Sequence, residues 1–234
     1  MTRPLRLMIY DRTCTGDLVP GLRHRSGDGL GGRLARRVGE RFTRVPGPGL
    51  SHSWAVGGAL YSSLGRLDDW RGFDDWGSAL RWLADYPDPR PIAEVQFWGH
   101  GKWGCARVDA ERLDLGSLRA RHAHHGPLAA IRDRMAPSQS QWWFRTCETF
   151  GAAPGQRFAR EFVGFMGCRA AGHTYIIGPW QSGLHTLAPG EAPRWSEDEG
   201  LVEGTPEEPR LARWSARGEP NTVSFLTGKI PAGF

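Results

Sequence analysis

The sequence predicts an α/β fold: a three-layer sandwich with a mostly parallel central sheet, in one domain over residues 1–234. Three observations predict it. Short apolar runs of strand length recur along the chain, beginning with Leu5–Tyr10, Ile92–Trp98 and Trp142–Thr146. Segments with helical spacing alternate with them, the pattern of a sheet covered by helices. With 39% hydrophobic residues, a chain of 234 has enough apolar material for a full core.

Taken in order, Leu5–Tyr10 is bounded by Pro4 and Asp11 and reads as a buried first strand. Gly27–Arg44 places Leu30, Leu34, Val38 and Phe42 at helical intervals, and "VPGPG" ends that helix. The Gly- and Ser-rich "SHSWAVGGALYSSLG" fits either a strand or an active-site loop. Helical spacing returns in "DDWGSALRWLADYP" through Trp76, Leu80 and Leu83, with Asp74 or Asp75 near the start and Pro87 beyond the end. Ile92–Trp98 is the next strand and stops at Gly99, His100 and Gly101.

"CARVDAERLDLGSL" fits a small hairpin or strand before a helix around Pro127–Met135. The polar "APSQSQ" leads into a strand at Trp142–Thr146, followed by the loop "ETFGAAPGQ". An amphipathic helix, "RFAREFVGFMGCRA", comes next; Gly172 stops it, and "HTYIIG" supplies another strand. The Pro-, Gly- and Glu-rich stretch from Pro179 to Pro220 reads as long surface loops, making the chain loop-rich from about 179, with "NTVSFL" as a late strand.

Composition excludes several classes of function. No run approaches the roughly 18 apolar residues of a membrane span, so no membrane partner is expected. "MTRPLRLMIYDRT" lacks the long apolar region of a signal sequence, so a cytoplasmic location is expected. Cys14, Cys105, Cys147 and Cys168 are scattered with no CxxC pair, which argues against a disulfide framework. "HGKWGC" offers His100 and Cys105 but no set of four ligands, and "RHAHHG" lacks carboxylate or thiol partners, so no metal is expected. The net charge is +5, but most arginines are interleaved with acids, and "RLARRVGERFTR" reads as a solvated helix face. Nucleic acid is therefore not an expected partner. The eleven tryptophans read mainly as core or pocket wall. Cys168 reads as a core residue of an apolar helix.

His100 and Cys147 each fall just past the carboxyl end of a predicted strand. In open α/β sheets ligands bind at those ends, and two such ends bring side chains together without sequence adjacency. A cysteine thiolate is a nucleophile, and a histidine beside it can take its proton and later protonate a leaving group. The helix after Cys147 adds a dipole that favours negative charge. The backbone N–H groups of Gly101 and Cys147 can together hold an oxyanion.

An apolar strand ending in His-Gly, "AEVQFWGHG", followed by one ending in Cys, "WWFRTC", resembles the caspase-like (clan CD) cysteine peptidases. The two residues are 47 positions apart, similar to the spacing of about 50 in caspases. "GKWGCARVDAERLDLGSL" and "ETFGAAPGQRFAREFVG" resemble bacterial members, and the likeness covers Ile92–Gly178. It implies a caspase-like sandwich, with Cys147 as nucleophile, His100 as general acid/base and Gly101 as an oxyanion contributor. It also implies a protein or peptide substrate and no cofactor.

The chain departs from the family at two places. "TCETF" stands where caspases have their pentapeptide, and Arg145 replaces the metacaspase acid two residues before the nucleophile. Strand alternation puts Arg145 on the same face as Cys147; the resemblance implies that this position lines the substrate pocket, where an arginine is expected to bind a carboxylate-bearing group. A salt bridge to Glu94, Glu148 or Asp109 is the structural alternative. Trp180, past the "HTYIIG" strand, is expected to shape the substrate cleft. Two other functions fit the same residues: an inactive binding or signalling module of this fold, and a small-molecule Cys-His amidohydrolase or acyltransferase. The oligomeric state is not set by the sequence.

Overall fold

The computed structural model describes residues 3–15, 49–136 and 140–234; the helix expected at Gly27–Arg44 lies outside them. In chain order, β1 (Leu5–Asp11) is followed by α1 (Leu50–Ser63), β2 (Asp69–Phe73), α2 (Trp76–Ala84) and β3 (Ile92–Trp98). Three short strands, β4 (His100–Lys102), β5 (Cys105–Val108) and β6 (Glu111–Leu113), precede a 3-10 turn at Leu115–Leu118 and α3 (His125–Arg132). Then come β7 (Gln141–Arg145), α4 (Ala152–Met166), β8 (Arg169–His173), β9 (Trp180–Gln181) and β10 (Leu184–Leu187). The chain closes with the hairpin β11 (Leu201–Gly204) and β12 (Pro209–Ala212), and with β13 (Val223–Ser224).

Among the described residues six strands form the central sheet, in the order β10-β8-β7-β3-β1-β2. All neighbours are parallel except β10, which runs antiparallel to β8. Period-two alternation sorts the strand residues to opposite faces. On one face Leu7, Ile9, Val95, Phe97, Trp142 and Phe144 form the main core, together with residues of α2, α3 and α4. On the other, Met8, Tyr10 and Trp98 pack with Tyr61 of α1, and Trp143 packs with Val223 near the carboxyl terminus. Helices therefore cover one face, and α1 with the terminal segment covers the other.

The local signals act as expected at α2. Asp75 caps it, its carboxylate accepting from the Ser78 N–H at 2.6 Å. At α1 the ambiguous Gly/Ser stretch is a helix, and its glycines explain the ambiguity. A Cβ on Gly57 would stand 2.5 Å from the Trp98 ring, and one on Gly58 2.8 Å from Trp70. Two poor helix formers are retained because the helix must lie close against the sheet.

Several boundaries differ from the sequence reading. α4 begins at Ala152, inside the expected loop, and ends at Gly167, whose φ of 62° stops the helix before Gly172. Cys168 is buried as expected but follows the helix instead of lying in it. The strand expected at "HTYIIG" is Arg169–His173, so only His173 is shared. The small, apolar "AAG" in that strand suits a position where Gly172 lies against the Phe150 ring. The segment after Pro179 is not all loop: β10 extends the central sheet and β11–β12 forms a hairpin.

Candidate active site at the strand ends

β3 and β7 are neighbours, and their register pairs Trp98 with Arg145. His100 and Cys147 each lie two residues beyond that paired level, on adjacent strands at the carboxyl edge of the sheet. Gly101 fixes the approach. A Cβ there would stand 2.4 Å from the Cys147 carbonyl oxygen, 2.4 Å from Thr149 Oγ1 and 2.8 Å from Thr146 Cβ. Only a residue without a side chain lets β4 lie this close to the Cys147 turn.

That turn is built tightly. Thr146 Oγ1 and Thr149 Oγ1 share a hydrogen bond of 2.5 Å, and the Glu148 N–H donates to the Tyr175 carbonyl at 3.0 Å. Glu148 has a φ of 52°, a left-handed conformation that costs a non-glycine residue energy. Its carboxylate is buried and meets Lys102 Nζ at 2.9 Å. Burial raises the Glu148 carboxyl above its ordinary range, and Lys102 opposes that rise.

The Cys147 thiol points to the Ile177 carbonyl at 3.9 Å. Burial pushes its pKa up to about 11, with Glu148 adding to the rise and the Ile177 and Lys102 contacts opposing it. The residue as a whole is half-buried, but its sulfur is crowded by protein. At neutral pH the raised pKa keeps the Cys147 side chain a thiol. Among the described residues the Cys147 thiol and the His100 ring share no hydrogen bond. The helix expected to lend its dipole begins five residues on, at Ala152.

His100 keeps part of its surface in solvent, and its ring packs edge-on against Trp54 of α1 with centroids 5.5 Å apart. Crowding lowers its pKa below the ordinary value; Asp11 opposes this and Arg107 reinforces it. A cavity of about 250 Å³ is lined by Asp11, Thr13, Cys14, His100, Arg107 and Asp109. It lies at the ends of β1 and β3, where the strand order reverses direction and α/β sheets place their ligands.

Asp11 is the group that the sequence reading missed. It is fully buried, and its Oδ1 accepts from the Thr13 N–H at 2.8 Å and from Thr13 Oγ1 at 2.6 Å. Its Oδ2 is buried with no hydrogen-bond partner among the described residues. Position alone gave the signal: Asp11 follows an apolar run, as His100 and Cys147 nearly do.

Arg145 does not pair with Glu94, Glu148 or Asp109. Its guanidinium lies between the Trp98 and Trp143 rings, 4.4 and 4.3 Å from their centroids. Nε and Nη2 donate to Gln181 Oε1 at 3.2 and 2.8 Å, and Nη1 donates to Tyr61 Oη at 2.9 Å. The remaining two bonds go to main-chain carbonyls near the carboxyl terminus, Nη2 to Phe225 at 2.9 Å and Nη1 to Thr227 at 3.0 Å. Trp180 precedes Gln181 on β9, is 41% exposed, and has the Arg217 guanidinium 5.9 Å from its ring centroid.

Among the described residues no group of three or more His, Cys, Asp and Glu side chains is placed to hold a metal ion. No described helix is long and apolar enough to cross a membrane. No family model, curated protein or solved structure matches this chain.

Proposed function

We propose that this protein is a caspase-like cysteine peptidase in which Cys147 is the nucleophile and His100 the general acid/base. The observation that carries the reading is the packing of Gly101 against the Cys147 turn, which holds the two strand ends in contact. Catalysis begins when the Cys147 sulfur turns from the Ile177 carbonyl toward the cavity. His100 takes the thiol proton as the sulfur adds to the scissile carbonyl, and the Gly101 and Cys147 N–H groups hold the oxyanion. Collapse gives a thioester and an amine, which leaves with the proton from His100. Water, deprotonated by His100, then hydrolyses the thioester.

Asp11 serves this scheme as a positioning residue, since its negative charge favours the imidazolium form of His100. Arg145 and Trp180 are the substrate-side groups, and the guanidinium suits a carboxylate. No metal or organic cofactor enters any step. Replacing Cys147 or His100 by alanine should abolish peptide cleavage while leaving the fold intact; turnover retained in both variants would reject the proposal.

A second reading is a catalytically silent binding module of the same fold. It is favoured by the raised Cys147 pKa and by the bonds that engage every N–H of Arg145. Cleavage of any peptide, lost on Cys147→Ala, would exclude it.

A further inference from the structure

In the proposed chemistry His100 must present a ring nitrogen toward Cys147, and its backbone alone does not decide this. Residue 100 opens β4 and pairs with Arg107 of β5, which fixes the main chain but leaves the ring free to turn. Among the described residues neither ring nitrogen of His100 makes a hydrogen bond. The nearby carboxylate does not hold the ring: Asp11 Oδ1 is taken by the Thr13 N–H and hydroxyl. Yet the base of a nucleophile–base pair is ordinarily oriented by a third group.

What the structure does place against the ring is Trp54 of α1. The two planes stand at 77° with their centroids 5.5 Å apart, the edge-to-face geometry in which aromatic rings attract. Trp54 is itself held. It packs, partly buried, on the cluster of Met8, Tyr10, Tyr61, Leu67 and Trp98. Its helix is pinned at both ends. At the start, the Ser51 N–H donates to the Cys14 carbonyl at 3.1 Å, and the Ser51 hydroxyl donates to the Asp11 carbonyl at 2.9 Å. Toward the end, Tyr61 rests edge-on against Trp98, two residues before His100, with centroids 5.4 Å apart. The wall that Trp54 forms is thus tied to β1 and β3, the strands at whose ends the His100 cavity lies.

We infer that Trp54 is a positioning residue for His100, its indole closing one side of the imidazole and restricting the ring to orientations that serve proton transfer with Cys147. The inference rests on the reading of His100 as the acid/base. An aromatic wall limits rotation without adding charge. Asp11 therefore biases the charge of the imidazole, and Trp54 its orientation. A leucine at position 54 would refill much of the apolar cluster but present no flat ring.

Trp54→Leu and Trp54→Phe separate the ring from its bulk, and Leu60→Ala, on the exposed side of the same helix, is the control. Two readouts are followed on each protein. One is the NMR shifts and titration of the His100 ring; the other is the rate at which an uncharged glycyl acyloxymethyl ketone captures Cys147. In Trp54→Leu the His100 ring protons should lose the displacement caused by the indole ring current. The His100 pKa should rise toward about 6.5 as crowding is relieved. Capture should slow at least about tenfold in Trp54→Leu and stay within about threefold of the parent in Trp54→Phe. Leu60→Ala should match the parent in both readouts. A role confined to packing would lower stability in Trp54→Leu and leave the His100 titration where it was; that result, or equal slowing in the Leu and Phe variants, would overturn the inference. No capture in the parent would instead count against Cys147 as nucleophile, and the His100 shifts and titration would still decide the role of Trp54. If Trp54→Leu fails to fold, cross-relaxation between the indole and imidazole protons of the parent is the deciding measurement, and its absence would overturn the inference.

Discussion

Gly101→Ala is the substitution whose effect follows most directly from the geometry of the site. The added carbon would meet the Cys147 carbonyl and Thr149 Oγ1 at 2.4 Å, and Thr146 Cβ at 2.8 Å. Ordinary carbon contacts lie at about 3.5–4.0 Å, so β4 and the Cys147 turn must separate by roughly 1 Å. None of the three atoms belongs to a long side chain that can swing away. The Thr146–Thr149 hydrogen bond and the left-handed Glu148 stiffen the turn further. Overpacking of this kind costs about 1–3 kcal/mol. A shift of about 1 Å between catalytic groups also costs a rate on the order of a hundredfold. Urea unfolding at constant slope measures the first effect, with Gly126→Ala as the comparison. Gly126 lies in α3 with nothing within 4 Å of an added Cβ, so alanine there should be neutral or stabilise by up to about 1 kcal/mol. A Gly101→Ala protein as stable as the parent would refute the claim that this glycine sets the spacing of the strand ends.

Two further predictions concern histidines. His100 should titrate below about 6.5 by NMR; Asp11→Asn should lower its pKa further and Arg107→Gln should raise it. A His100 pKa unmoved by Asp11→Asn would remove Asp11 from the positioning role. His173 is fully buried, with Trp143 Nε1 at 3.4 Å and the Ser182 carbonyl at 3.1 Å, and burial pushes its pKa down to about 3. The unfolded chain takes up a proton below about pH 6.5 that the native ring refuses. Stability from this group is therefore present above that pH and is lost by roughly 1 kcal/mol per pH unit as pH falls toward 3. Urea unfolding between pH 7 and 4.5 should show a shallower loss in His173→Gln than in the parent; equal slopes would contradict it.

The parts of this fold that the sequence reveals are those where one local force dominates. β1, β3 and β7 are largely apolar runs because both of their faces are mostly buried, and all three are found within a residue of their expected bounds. Capping by Asp75 marks α2 because a carboxylate at a helix start satisfies backbone N–H groups. Elements shaped by tertiary packing are less legible. α1 carries Gly57 and Gly58 for the sake of two tryptophan rings, and the cost in helix propensity hides it. β2, "DWRGF", lies at the edge of the sheet with a mostly half-buried pattern, so its charges mask a strand.

The same distinction holds within the site. His100, Gly101 and Cys147 are visible as strand-end residues, and the sheet brings their backbones together. Asp11 is not, because its significance depends on β1 lying beside β3. At rest Cys147 is a half-buried residue whose thiol is crowded and turned to the Ile177 carbonyl, which strand periodicity cannot foresee. Arg145 was expected to face a carboxylate or a nearby acid. Its partners come from α1, β9 and the carboxyl-terminal segment, which are 36 to 84 residues away in sequence.

The most direct test of the Cys147–His100 reading is covalent capture by a small, uncharged peptide acyloxymethyl ketone with glycine next to the ketone, which makes no demand on Arg145. Mass spectrometry would locate the adduct and time its formation in the parent chain and in His100→Ala. A single adduct at Cys147 is expected, formed at least about a hundredfold more slowly without the imidazole. Capture at Cys147 at the same rate in both proteins, or no capture there at all, would contradict that reading.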